Sequence, residues 1–178
     1  MYVLNRHERI LNASAAQVGA LMDTLSSPED KLWPRDLWPR MRFDRPLSVG
    51  ADGGHGPIRY FVEAYQPGVS IRFQFKAPRG FNGWHGIQIE AIDATTTRLI
   101  HTLEMHTSGQ AVLSWALVFR PLHDALIEDA LDRAQTVFSG QQVTSQWSPY
   151  VRFLRGLLSL LGRRSLPKRD GLQPKART

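Results

Sequence analysis

Between Ile58 and His106 the apolar residues recur at every second position in short runs, and from Gln110 onward the spacing becomes that of a helix. This change of period restricts the chain to an α+β arrangement, with a meander of antiparallel strands followed by a long closing helix. The runs "IRYFVEAY" and "VSIRFQF" are separated by Gln66-Pro67-Gly68, a proline-glycine pair suited to a type II turn, and "GIQIEAID" and "TRLIHTLEMH" by Ala94 to Thr96. Each run is rich in β-branched or aromatic residues, so the sheet is expected to keep one wet face and one covered face.

Alternation also sorts the side chains. Val69, Ile71, Phe73 and Phe75 share one side of their strand. Ile87, Ile89 and Ala91 align with His85, and Leu99, Leu103 and Met105 align with His101, which turns both imidazoles toward the apolar side. In the run beginning at Ile58, the charges of Arg59 and Glu63 place Ile58, Tyr60, Val62 and Ala64 inward.

Upstream, Tyr2 to Leu11 reads as a first strand, and a first helix capped by Asn12 or Ser14 presents Val18, Leu21, Met22 and Leu25 before stopping near Pro28. A helical turn is expected at Glu29 to Leu32, then the stiff loop "LWPRDLWPR", in which proline holds Trp33 and Trp38 out of helical geometry. "MRFDRPLSV" reads as a strand and "GADGGHG" as a turn. Downstream, Leu122, Leu126, Ile127, Ala130, Leu131, Ala134 and Phe138 form one helical stripe, with Pro121 expected to kink or restart the helix.

A chain of 178 residues is enough for one compact core. It has no cysteine, which removes disulfides, thiolate metal sites and a cysteine nucleophile and fits a reducing, cytoplasmic setting. The net charge of +6 is localised: from Tyr150 onward eight Lys/Arg stand against one acid, Asp170, while the residues before it are about neutral. A neutral body with a basic tail argues against nucleic acid as a partner, because phosphate binding needs clustered positive charge on the fold. No window reaches the ~18 apolar residues of a membrane span.

The element order, the glycine-rich turn before "GPIRYFVEAYQPG" and the closing "RPLHDALIEDALDRA" together resemble the SRPBCC superfamily, the START-like or helix-grip fold that includes polyketide cyclase/dehydrase-like proteins. The resemblance implies a curved sheet of about six strands wrapped around a long C-terminal helix, with residues 1–140 as a ligand-binding domain. It also implies an internal cavity for a small apolar ligand. Phe73, Phe75, Ile87, Leu103 and Met105 from the sheet, with Trp115 and Phe119 from the helix, would line it. Trp33 and Trp38 would sit at its mouth as a lid or rim, or pack as plugs beneath the loop.

Tyr60, His85 and His101 are the candidate polar contacts, and either histidine could serve as acid/base in a cyclase or dehydratase. A hairpin turning near Thr95 would set His85 beside Met105 and His101 beside Ile89, about 13 Å apart, too far to share an ion. No metal or other cofactor is expected. His55 reads as solvated, and His123 and Asp124 as a helix cap. Ser108 and Ser139 lack a nucleophile-elbow context. Within 141–163, Ser148-Pro149 starts a basic amphipathic helix carrying Arg152, Phe153, Arg155, Leu157 and Leu161, suited to an anionic membrane surface, to its own domain or to a partner subunit. Residues 164–178 read as a disordered basic end. No catalytic motif matches, so the expected role is binding of a lipid- or polyketide-like ligand, with the enzyme and a peripheral-membrane lipid carrier as alternatives.

Overall fold

The computed structural model describes residues 1–164, and the side chains of residues 1–160; the reading of 165–178 as disordered lies outside the described residues. The chain divides into one unit spanning Met1–Gln146 and a second beginning at Trp147. The first unit is a single antiparallel sheet of seven strands and the helices that accompany it. In chain order these are β1 (Tyr2–Leu11), α1 (Ala15–Met22), β2 (Arg42–Phe43), β3 (Asp52–His55), β4 (Ile58–Gln66), β5 (Ser70–Ala77), β6 (Phe81–Ala91), β7 (Thr97–Thr107), α2 (Ala111–Ser114) and α3 (Arg120–Ser139). The strands lie in the order β1-β7-β6-β5-β4-β3-β2, so the first strand of the chain pairs with the last.

Seven strands stand where about six were expected, because part of the glycine-rich "turn" is itself a strand. Gly53 and Gly54 of β3 pair with Phe43 and Arg42 on one side and with Tyr60 and Arg59 on the other. A Cβ at Gly53 would fall 1.9 Å from the Arg42 carbonyl oxygen, so only glycine lets these strands approach. The anticipated strand over Met41 to Val49 shrinks to Arg42–Phe43: Pro46 has no N–H to offer a ladder, and the chain turns back with Asp44 accepting from the Asp52 N–H.

Along β4 the inward set holds for Ile58, Tyr60 and Val62 but not for Ala64, which is exposed, because a bulge between Val62 and Ala64 shifts the parity and brings Tyr65 opposite Ile71. Val69 belongs to the turn and is exposed rather than inward. Ile71, Phe73 and Phe75 are buried as their alternation requires.

The β6–β7 hairpin corrects the expected register. Its loop spans Ile92 to Thr96, with the Asp93 carboxylate accepting from the Thr95 N–H, so it centres on Ala94 rather than Thr95. His85 consequently faces Leu103 instead of Met105, and His101 faces Ile87 instead of Ile89.

Helix α1 is capped by Ser14, whose hydroxyl accepts from the Gln17 N–H while the Gln17 side chain accepts from the Ser14 N–H. Gly19 lets α1 touch the β4–β5 turn: a Cβ there would meet the Gly68 carbonyl oxygen at 2.3 Å. Asp23 fastens the same contact by accepting from the Tyr65 hydroxyl at 2.8 Å and the Gly68 N–H at 3.1 Å. Turns, not helix, follow, and the buried Asp30 carboxylate accepts from the N–H groups of Ser26, Leu32 and Trp33.

Pro121 does not restart the closing helix, which runs unbroken from Ala111 to Ser139. Trp115–Phe119 forms one wide π turn that joins α2 to α3, with the Arg120 N–H donating to the Trp115 carbonyl five residues back. Proline cannot donate to the carbonyl four residues earlier and its ring crowds that group; the wider turn just before it absorbs both effects. Glycine 140, in the left-handed region at φ 68°, ends α3. By itself, the second unit contributes α4 (Pro149–Arg164), in the place predicted for the basic amphipathic helix. No described helix is long and apolar enough to cross a membrane.

Candidate functional site

The inner face of the sheet is aromatic and, along one line, imidazole-rich. Ring contacts run without a break from the tryptophan loop to the first strand. Trp33 lies 4.8 Å from His55, His55 5.7 Å from Tyr60, and Tyr60 4.7 Å from His85, centroid to centroid. His85 lies 5.7 Å from His101, His101 5.1 Å from His123, and His123 6.0 Å from His7. Of the histidines only His106 is outside the line; it points from the opposite face of β7 and is exposed.

The closeness of His85 and His101 follows from the register. Inward positions on β6 and β7 that are one pleat out of step are diagonal neighbours, within reach of ring side chains. The expected separation of about 13 Å is thereby overturned, and with it the geometric reason given for keeping the two histidines apart.

Burial sets the chemistry of these rings. It pushes the pKa of His85 and His101 well below that of a free imidazole, with neighbouring histidines adding to the effect, and pushes His55 down to about 3. The rings are therefore neutral at physiological pH. Burial likewise raises the Tyr60 phenol, whose hydroxyl is 2.9 Å from His55 Nδ1. Phe73 and Phe75 both stack on His85, at 4.9 and 5.0 Å. Yet Nε2 of His85 and Nδ1 of His101 have no hydrogen-bond partner although both are buried. Such an orphan costs about 1–3 kcal/mol, so these two nitrogens are unsatisfied polar points on the inner face.

Trp33 and Trp38 are both buried. Trp33 Nε1 donates to the Pro39 carbonyl at 2.9 Å, closing its own loop, and Trp38 Nε1 donates to Asp129 Oδ2 of α3 at 2.6 Å. Ile87 sits on the inner face opposite His101 and is half-buried, whereas Leu103 and Met105 are buried. Trp115 is buried with its ring 5.8 Å from His123, and Phe119 packs edge-on against Phe81 at 5.2 Å. Among the tail residues, Arg152, Phe153, Arg155 and Leu157 lie on α4, where the Arg155 guanidinium covers the Trp147 ring at 4.1 Å; the Leu161 side chain is outside the described residues.

Sequence reasoning missed His7, His55 and His123 as members of this line. His123 and Asp124 do not cap a helix, since α2, the π turn and α3 are continuous through them. The seam of β1 with α3 was missed too. Asn5 Nδ2 donates to Asp124 Oδ1 at 2.9 Å, and His7 bridges Glu128 Oε1 at 2.7 Å and Asp124 Oδ1 at 3.2 Å. Arg9 donates to Asp132, Glu128 and Gln135. The available signal was alternation in β1 of Asn5, His7 and Arg9 against acids spaced by four in α3. The hydrogen bond of His7 to Asp124 raises the His7 pKa against the effect of burial. Among the described residues, His7, His123 and Asp124 also bring ligand atoms within 4.8 Å of one another, the residue types that hold a metal ion.

No protein-family model matches the sequence, and no curated protein sequence matches it. Solved structures do match. A protein from Thermobifida fusca solved by NMR is similar with a TM-score of 0.61 at 14% identity, over 82% of this chain and 99% of that one. Norcoclaurine synthase from Thalictrum flavum, a point mutant in complex with a transition-state analogue, is similar with a TM-score of 0.60 at 13% identity, over 79% of this chain and 96% of that one. The same synthase in complex with dopamine and hydroxybenzaldehyde is similar with a TM-score of 0.58 at 14% identity, covering 80% and 90%. The fold is the helix-grip fold of these neighbours: a curved antiparallel sheet with a long C-terminal helix.

Proposed function

We propose that the Met1–Gln146 unit, as an SRPBCC-type protein, encloses a small hydrophobic or amphipathic molecule, lipid- or polyketide-like, between the inner sheet face and the closing helix. The observation that carries this reading is the pair of buried, neutral imidazoles with unpartnered nitrogens on an otherwise apolar face. Their surroundings, Phe73 and Phe75 against His85 and Trp115 beside His123, have the make-up of a small-molecule site: apolar walls with a few convergent polar groups. Helix-grip neighbours solved with small molecules support it by analogy of fold.

The test is native mass spectrometry of the purified chain for a retained small molecule, followed by fluorescence titration with anilinonaphthalene sulfonate as an amphipathic probe. A saturable site that weakens at least tenfold in the His85→Leu/His101→Leu double variant is expected. Linear, unsaturable probe uptake by a folded protein refutes the reading.

A second reading, a cyclase or dehydratase with His101 as acid/base, is favoured by the neutral ring and free Nδ1 of that residue. Its mark is a His101→Leu protein that keeps probe affinity and loses turnover of a polyketide-like substrate. For α4 we propose contact with an anionic lipid surface through Arg152, Phe153, Arg155, Leu157 and Leu161, checked by flotation of the full chain with phosphatidylserine vesicles.

A further inference from the structure

We propose that His7, His123 and Asp124 form a binding site for one divalent transition ion of the zinc type, on the seam between β1 and α3. The proposal stands apart from the apolar ligand, whose contacts are His85, His101 and Tyr60.

The spacing is the first support. An ion held tetrahedrally by bonds of about 2.0–2.1 Å needs ligand atoms about 3.3 Å apart. Asp124 Oδ1 lies 3.2 Å from His7 Nε2 and 3.5 Å from His123 Nδ1, and the three ligand atoms fall within 4.8 Å of one another. The carboxylate oxygen therefore stands at a common vertex between two imidazoles, and closing the third edge takes only a modest ring rotation.

The second support is the hydrogen bonding of His123. Both ring nitrogens of His123 are buried and without a hydrogen-bond partner, since 3.5 Å is too long a reach to Asp124. The ring packs against His101 and Trp115 with Nδ1 facing the Asp124 carboxylate, and an ion on Nδ1 would satisfy that atom.

His7 and Asp124 have the surroundings that metal ligands require, whereas His123 Nε2 has no such partner. Glu128 Oε1 holds His7 Nδ1 at 2.7 Å, which directs Nε2 toward Asp124, and Arg9 holds Glu128 in turn at 2.9 Å. A carboxylate behind the distal nitrogen of a ligating histidine fixes the ring and raises its basicity. Asn5 Nδ2 orients Asp124 through Oδ1, and Arg120 Nε, 3.8 Å from Oδ2, draws the second oxygen away, so Asp124 would bind through one oxygen. In the free protein the His7–Asp124 hydrogen bond occupies this place, and the ion displaces its proton.

Two imidazoles and one carboxylate, with no thiolate in the chain, select a borderline ion such as Zn²⁺ over Ca²⁺ or Mg²⁺. The side chains of His7, His123 and Asp124 are 15%, 16% and 36% exposed, so the ion has a route in from solvent on the carboxylate side. Three protein ligands leave a fourth position for water or for a polar group of a guest.

The experiment uses the untagged full chain stripped with EDTA, titrated calorimetrically with Zn²⁺ and by visible absorption with Co²⁺. One equivalent of either ion is expected, with tetrahedral Co²⁺ bands and a rise in Tm on adding Zn²⁺. Affinity should fall at least tenfold in His123→Leu and in Asp124→Asn. It should also fall about 10–100-fold in Glu128→Gln, which touches no ion. His106→Leu, on the opposite face, should bind as wild type. Absence of stoichiometric binding and of any Tm shift in the wild-type chain overturns the site, as does undiminished binding in folded His123→Leu and Asp124→Asn. Should either variant fail to fold by circular dichroism, His7→Gln and the wild-type Tm shift decide the matter.

Discussion

Acidification should unfold this domain earlier than its surface charges require. His55, His85 and His101 are neutral in the folded state because burial lowers their pKa, and in the unfolded chain they titrate near 6.5. For a group with a depressed folded pKa, stability is intact above the unfolded value and is lost as pH falls, because the unfolded chain takes up protons that the folded chain refuses. Three such imidazoles give a slope of about 4 kcal/mol per pH unit once the pH is well under 6.5. His123, also lowered, works in the same direction, while His7, raised, opposes the loss as pH falls toward 6.5 and adds no slope once it is charged in both states.

Allowing for partial titration near 6.5, the loss between about pH 7.5 and about pH 5.5 comes to about 4 kcal/mol, a large share of the roughly 5–15 kcal/mol that holds a domain together. With a urea m-value of about 2 kcal/mol/M the unfolding midpoint should fall by about 2 M, followed by tryptophan fluorescence and far-UV circular dichroism together. Lowering the pH no further than this keeps the carboxylates ionised, so the histidines dominate. The His85→Leu/His101→Leu double variant should lose about half to two thirds of the slope. A midpoint that does not move with pH, or a slope unchanged in the double variant, refutes the claim that these rings are buried and neutral.

Three structural perturbations complete the set. Arg9→Met removes the cation from Asp132, which is 3% exposed, and should cost about 3–5 kcal/mol, seen as a Tm lower by about 10 °C. Gly19→Ala drives a methyl group into the Gly68 backbone and should cost about 1–3 kcal/mol in urea unfolding, with the m-value unchanged. Trp38→Phe, which deletes the donor to Asp129, should cost about 1.5–3 kcal/mol; an unaltered midpoint would show that the loop is not fastened to α3 through that bond.

The parts of the fold that alternation controls were readable. Ile71, Phe73 and Phe75 face inward as their spacing demands, and His85 and His101 share their side because parity survives any even shift of register. Distance between them was not readable. One residue's difference in the centre of the hairpin moved each partner by two positions and changed a separated pair into neighbouring rings.

Local composition misled at "GADGGHG", where Gly53 and Gly54 belong to a strand because adjacent backbones come too close for a Cβ. His7, His55 and His123 were hidden for a different reason: each lies on a separate element, and their convergence depends on sheet order, which no local pattern encodes. The Asp124, Glu128, Asp132 spacing was visible as one face of a helix, but only the position of β1 shows what that face meets.

The seam between β1 and α3 works as a vernier. Two strand residues advance about 6.7 Å and four helical residues 6.0 Å, so each successive rung slips by about 0.7 Å. Starting level at Asn5 and Asp124, the strand has outrun the helix by Arg9, which accordingly reaches past Asp132 to Gln135. A one-turn slide that brought Glu128 to Asn5 would again set carboxylates before Asn5 and His7, so the Arg9 rung, with Gln135 beyond Asp132, tells the two alignments apart. Two graduated scales that agree in only one alignment thus set the depth to which the closing helix enters the sheet, and keep His123 opposite His101.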